Sequence, residues 1–142
     1  PLNVSNLVVD WPNNNWLGLC QNATTASIIT SINNLIVGCG SVTEIGRAHE
    51  LGAEIVKIFP GMQVGGPEFV KAVKGPMPWS SIMPTGGVSP TDENLKAWFE
   101  AGVTCVGMGS QLISGEIIKN KDYAKLEQDV KNAMALIKEI RK

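Results

Sequence analysis

From Leu35 onward, short apolar runs alternate with amphipathic stretches. Leu35-Ile36-Val37 is the first such run and predicts a strand. Ser41-Val42-Thr43-Glu44 follows with the pattern of a capping box, in which serine and glutamate side chains satisfy free amides at a helix start. That helix is expected to reach about Leu51 and stop at Gly52. Glu54 to Pro60 predicts a second strand. Gly65-Gly66-Pro67-Glu68 opens a second helix, with proline suited to its first turn, and the helix ends near Lys74-Gly75. Ser81 to Pro84 predicts a third strand. Ser89-Pro90-Thr91-Asp92-Glu93 starts a third helix that reaches Ala101 and stops at Gly102. Val103 to Met108 predicts a fourth strand. From about Asp122 to Lys142, apolar residues at Leu126, Val130, Ala133, Met134 and Ile137 have helical spacing.

The strand ends fall near Val37, Phe59, Pro84 and Met108, 22 to 25 residues apart. Strict alternation of strand and helix argues a parallel sheet with covering helices, either a (β/α) barrel or a doubly wound sheet. Four βα units make half of an eight-stranded barrel, a fold that typically takes about 250 residues.

Composition separates the chain into two regions. Of 142 residues, 12 are basic and 13 acidic, so no broad attraction to nucleic acid or an anionic membrane is implied. From Pro1 to Thr43, however, the only charged residue is Asp10, and the segment is rich in asparagine with Trp11 and Trp16. Residues 1–34 are therefore set apart as an unassigned leader, expected to be a fragment, a fusion or a misassigned stretch. Residues 35–142 are expected to carry the βα units. No apolar run approaches the roughly 20 residues of a membrane span. Cys20, Cys39 and Cys105 are odd in number and lack CxxC spacing, so they read as reduced thiols of a cytoplasmic protein.

Chemistry enters with Lys57, alone inside the run Ile55-Val56-Lys57-Ile58-Phe59. Alternation puts Ile55, Lys57 and Phe59 on one face of the strand. Burying an ammonium is expensive. Burial also disfavours the protonated form, and a neutral amine is the nucleophile that makes a Schiff base with a carbonyl. The plainer alternative is a lysine ending an edge strand, its stem packed and its head in water. Glu54, by the same alternation, does not share the face of Lys57 and is not expected to be its base.

Two glycine clusters follow the last two strands, Thr85-Gly86-Gly87-Val88 and Gly107-Met108-Gly109-Ser110. Glycines let backbone amides approach an anion closely, and in (β/α) barrels phosphate commonly binds at the loops after the final two strands. Ser110 adds a hydroxyl donor. Taken alone, each cluster also reads as a tight βα turn. His49 is expected to be a solvated helix position, Ile117 to Asp122 a solvated junction, and Trp79 and Trp98 packing or interface residues.

Taken together, Gly38-Cys39-Gly40-Ser41-Val42-Thr43-Glu44-Ile45, Gly52 to Pro60, Lys74-Gly75-Pro76, Met83 to Val88 and Gly107 to Ser110 resemble the 2-keto-3-deoxy-6-phosphogluconate (KDPG) / 4-hydroxy-2-oxoglutarate (KHG) aldolase family. The resemblance covers about Leu35 to Ile113, with a C-terminal helix beyond. It implies a class I aldolase on a (β/α)8 TIM barrel, of which this chain carries roughly the C-terminal half, and usually a homotrimer. It places Lys57 on the Schiff-base lysine, Phe59 and Pro60 on the pocket lining, and Gly86, Gly87, Gly109 and Ser110 on the phosphate site, with Thr85 beside them. The reaction implied is cleavage of a phosphorylated 2-keto-3-deoxy sugar acid, 2-keto-3-deoxy-6-phosphogluconate, to pyruvate and glyceraldehyde 3-phosphate with no metal or cofactor, and the residues themselves do not separate the gluconate from the galactonate epimer. The family's general acid/base glutamate and a nearby arginine, both on early strands, have no counterpart expected in Pro1 to Asn34. Two rival readings stand beside it: a phosphate-binding barrel without imine chemistry, and an inactive half-barrel.

Overall fold

The computed structural model describes residues 37–142. The leader expected at residues 1–34, with Cys20, lies outside the described residues. Three short strands, β1 (Val37–Cys39), β2 (Val56–Ile58) and β3 (Ile82–Pro84), pair in parallel in the order β1-β2-β3. The registers align Gly38, Lys57 and Met83 in one row and Cys39, Ile58 and Pro84 in the next. Sequential order with no reversal means that each crossover helix returns the chain to the neighbouring strand.

Helix α1 (Val42–Glu50) begins as its sequence demands. Ser41 caps it in extended conformation, and its hydroxyl accepts from the Glu44 amide at 3.3 Å. The Glu44 carboxylate reaches back to the Gly40 amide at 2.8 Å and the Ser41 hydroxyl at 2.9 Å. The helix ends at Leu51, where Gly52 takes φ 92° and donates to the His49 carbonyl. Helix α2 (Gly66–Lys74) carries proline in its first turn. Helix α3 (Asp92–Glu100) starts after Thr91, within the segment expected to open it. Two further helices, α4 (Gly115–Asn120) and α5 (Tyr123–Ile140), complete the described chain, with α5 packed on α3.

One core joins sheet and helices. Val56, Ile58 and Ile82 from the strands meet Ile45 and Ala48 of α1, Val70 and Val73 of α2, and Leu95 and Trp98 of α3, all buried. Both β2 and β3 bury their outer two residues and leave the central one, Lys57 or Met83, half-buried on the opposite face. The helices thus cover one face of the sheet, and the row containing Lys57 belongs to the other.

Three expectations are corrected. Val103 to Met108 does not form a fourth strand: it joins the sheet edge through a single parallel bridge, Gly107 with Thr85. The Thr104 amide donates to Ile82 and the Gly107 amide to Pro84, so the segment runs alongside β3, but too few bonds repeat to make a ladder. Ile117 is buried within α4 instead of lying in a solvated junction, because Ser114 caps a new helix there; Ile118 to Asp122 are exposed as expected. His49 is half-buried, not solvated: its Nδ1–H donates to the Ala53 carbonyl at 2.9 Å across the turn that ends α1. Trp98 is fully buried as a packing residue, whereas Trp79 is 69% exposed.

Candidate active site

The C-terminal edge of the sheet gathers the chemistry. The hydrogen-bond pattern of the strands continues beyond their ends: the Phe59 amide donates to Cys39, the Thr85 amide to Ile58 and the Gly107 amide to Pro84. Phe59, Thr85 and Gly107 therefore follow one another across this edge, one residue past the last full row of the sheet.

Lys57 lies two residues before Phe59 on the same face of β2, half-buried, with its Nζ 5.1 Å from the centroid of the Phe59 ring. The ring is 48% exposed and leans toward the next loop: a Cβ built on Gly86 would lie 3.6 Å from Phe59 Cδ2. Phe59 thus lies near both the lysine and the first glycine turn. The following peptide, Phe59-Pro60, is cis.

The glycine turn after β3 is held by the loop after β2. The Gly61 amide donates to the Thr85 carbonyl at 2.8 Å and the Met62 amide to the Gly86 carbonyl at 3.0 Å. Contact is so close that a Cβ on Gly61 would sit 2.9 Å from the Gly86 oxygen. Gly86 and Gly87 take φ of 90° and 80°, a conformation that L side chains rarely adopt. A Cβ on Gly87 would be 2.4 Å from Met62 Cβ. On the far side of the turn, Asn94 of α3 donates from Nδ2 to the Gly87 carbonyl at 3.2 Å and accepts from the Ser89 amide at 2.9 Å.

The second glycine cluster joins this group through Gly107, where a Cβ would meet Thr85 Oγ1 at 2.4 Å. Gly109 and Ser110 are exposed, and nothing lies within 4 Å of a Cβ built on Gly109. Among the described residues, the amides of Gly86, Gly87, Gly109 and Ser110 donate to no other group. Glu54 is exposed and precedes β2, off the face of Lys57. A separate cleft of about 570 Å³, lined by Lys96, Phe99, Glu100 and Arg141, lies between α3 and α5 and includes neither the lysine nor the glycine turns.

The structure thus links Lys57, Phe59, Pro60, Thr85, Gly86 and Gly87 through direct neighbours, and leaves Gly109 and Ser110 at the rim. Gly61, Met62 and Asn94 escaped the sequence reading. Their roles depend on two loops returning to the same place.

Among the described residues, a parallel α/β unit carries a lysine on the face its helices do not cover, next to a glycine turn whose amides have no partner. The chain belongs to the KDPG and KHG aldolase family, which matches residues 18–129. The match begins upstream of Leu35, the start expected from the sequence, and extends past Ile113.

It is 42% identical over 76 residues to the 2-dehydro-3-deoxy-6-phosphogalactonate aldolase of Escherichia coli K12, covering 53% of this chain and 36% of that protein. It is 34% identical over 109 residues to the 2-dehydro-3-deoxy-phosphogluconate aldolase of Pseudomonas aeruginosa, covering 76% and 48%. The chain therefore spans about half the length, or less, of these curated relatives.

Among solved structures, one described as native KDPGal superposes with a TM-score of 0.64 at 30% identity, covering 84% of this chain and 56% of that one. A Legionella pneumophila KDPG aldolase, with pyruvate captured as a covalent carbinolamine, gives 0.62 at 26% identity, covering 80% and 55%. The fold is that of the α/β aldolases. Among the described residues, no helix is long and apolar enough to cross a membrane.

Proposed function

We propose that this chain supplies the lysine-bearing C-terminal half of a (β/α)8 class I aldolase that cleaves a phosphorylated 2-keto-3-deoxy sugar acid to pyruvate and glyceraldehyde 3-phosphate. The observation that carries this reading is the position of Lys57. It stands on the sheet face that the described helices do not cover, beside a ring that also lies next to the first glycine turn.

In this mechanism the neutral Lys57 amine attacks the C2 ketone, and loss of water gives an iminium. The iminium is an electron sink: as the C4 hydroxyl proton leaves to a base through water, the C3–C4 bond breaks and its electrons pass to the nitrogen as an enamine. Protonation at C3 and hydrolysis release pyruvate and restore the amine. Phe59 and Pro60 line the side of the pocket next to the imine, and the aromatic face stabilises the cation that forms there. Gly86, Gly87, Gly109 and Ser110, with Thr85 beside them, hold the phosphate through backbone amides and a hydroxyl. This binding is far from the breaking bond and supplies orientation. Exposed Glu54 is not assigned the proton transfer. Homotrimer assembly accompanies this reading, as the resemblance implies.

Both the gluconate and the galactonate epimer fit the reading, because the two differ at the hydroxyl of C4 and not at the phosphate. The gluconate epimer is the substrate expected from the sequence. The 42% identical relative named for the galactonate compound is the specific observation that favours the second. Pyruvate release from each epimer, followed with lactate dehydrogenase and NADH, tests the function. Turnover of at least one epimer, lost in Lys57→Met, is expected. Phosphate binding with no pyruvate released from either would leave the rival phosphate-binding reading in its place.

A further inference from the structure

Three consecutive carbonyls of the glycine turn are tied to protein donors. Thr85 accepts from the Gly61 amide, Gly86 from the Met62 amide and Gly87 from Asn94 Nδ2. The peptides that follow these carbonyls are trans, so the N–H of each points opposite to its C=O. Holding the carbonyls of Thr85, Gly86 and Gly87 therefore aims the amides of Gly86, Gly87 and Val88 the other way. Among the described residues those three amides donate to nothing. The Thr85 and Gly86 carbonyls are both held by the loop after β2, so the Gly86 and Gly87 amides both face away from that loop, and successive unpartnered amides of this kind suit an anion.

Two of the three carbonyls are held by backbone, which any sequence could supply. The third is held by a side chain from a different element, and Asn94 is bound at both ends. Its Oδ1 accepts from the Ser89 amide at 2.9 Å while its Nδ2 donates to Gly87 at 3.2 Å. An amide side chain is the only neutral one that offers an acceptor and a donor in this fork. Aspartate would keep the first bond and turn the second into a repulsion between two oxygens. Asn94 itself lies on α3, anchored in the core one residue later by fully buried Leu95. The helix thus sets where the Gly87–Val88 peptide points.

We infer that Asn94 is a positioning residue for phosphate: it fixes the Gly87–Val88 peptide, and with it the conformation of the glycine turn whose Gly86 and Gly87 amides meet the anionic end of the substrate. This rests on the proposed phosphate role of the turn, though not on imine formation at Lys57, and the two are separable by experiment. The hydrogen bonds of Asn94 go to Gly87 and Ser89.

The test compares the wild-type chain with Asn94→Ala in two assays. The first is binding of inorganic phosphate by calorimetry. The second is trapping of pyruvate by borohydride, which needs the lysine but no phosphate. Phosphate binding about tenfold weaker is expected, as one orienting hydrogen bond to the turn is removed, with pyruvate trapping unchanged. Equal losses in both assays would show a general structural role and overturn the inference, as would unaltered phosphate binding or a wild-type chain that binds no phosphate. A wild type that binds phosphate but traps no pyruvate would sink the aldolase reading and leave this one standing. Should Asn94→Ala fail to fold, amide resonances of the wild type decide. Phosphate titration is expected to move those of Gly86, Gly87 and Val88, and their indifference would refute the assignment.

Discussion

Lys57 Nζ stands 5.1 Å from the centroid of the Phe59 ring, two residues along the same strand face. A cation over an aromatic face is stabilised by about 0.5–1 kcal/mol at partly exposed sites. The iminium proposed at Lys57 would be such a cation. Phe59→Leu keeps an apolar side chain but removes the ring. The trapped pyruvate adduct is expected to fall about two- to fivefold, read by intact-protein mass spectrometry. An undiminished yield would separate the ring from the chemistry.

The glycines differ in what they need. Gly87 combines φ 80° with a Cβ position 2.4 Å from Met62, so Gly87→Ala meets both backbone strain and a clash. A loss of about 2–4 kcal/mol in urea unfolding is expected. Gly109→Ala adds a methyl into open space and is expected to change stability by less than about 0.5 kcal/mol. If Gly109 belongs to the phosphate site, that methyl stands where the ligand approaches, and phosphate affinity falls while stability holds. A Gly109→Ala chain with full phosphate affinity would remove Gly109 from the site.

Glu44 gives the first helix a pH dependence. The Gly40 amide, and next the Ser41 hydroxyl, hold its carboxyl below the ordinary carboxylate range. A depressed pKa means that the unfolded chain binds the proton more readily than the folded one. The stabilisation is complete above the unfolded value of about 4.3 and is lost as pH falls through the lower folded value. Glu44→Gln is neutral throughout. The shift in urea midpoint between pH 6 and pH 3 is expected to be smaller in the variant than in the wild type. Equal shifts would assign acid sensitivity to other groups.

The two described tryptophans are expected to behave oppositely. Trp98 is fully buried between α3 and the sheet core, and Trp98→Ala is expected to cost about 3–5 kcal/mol in urea unfolding. Trp79 is 69% exposed, and Trp79→Ala is expected to stay within about 0.5 kcal/mol. Iodide quenching of the Trp98→Phe and Trp79→Phe chains, each also carrying Trp11→Phe and Trp16→Phe, checks the same point spectroscopically, with strong quenching only where Trp79 remains. Comparable quenching in both would contradict the packing.

Much of this arrangement is legible in local sequence. The Ser41–Glu44 pattern forms its cap, Gly52 ends its helix, and alternation around Lys57 separates the covered from the open face. Capping and alternation are set by residues within a few positions of each other, so pattern alone captures them. Val103 to Met108 shows the limit. Its apolar residues read as a strand, yet strand pairing also requires a neighbour in register, and among the described residues only Gly107 forms a bridge. His49 was misread because its partner, Ala53, lies beyond the helix end that the glycine creates. In the site, lysine and glycines stand out by residue type. Gly61, Met62 and Asn94 do not, because their partners are loops remote in the chain, and only the fold brings them within bonding distance.

The most direct measurement is borohydride reduction of the chain in the presence of pyruvate, followed by peptide mapping. A reduced pyruvate adduct on the peptide containing Lys57, absent from Lys57→Met and without borohydride, is the predicted result. An unmodified Lys57, or an adduct carried by another lysine such as Lys74, would contradict the account at its centre.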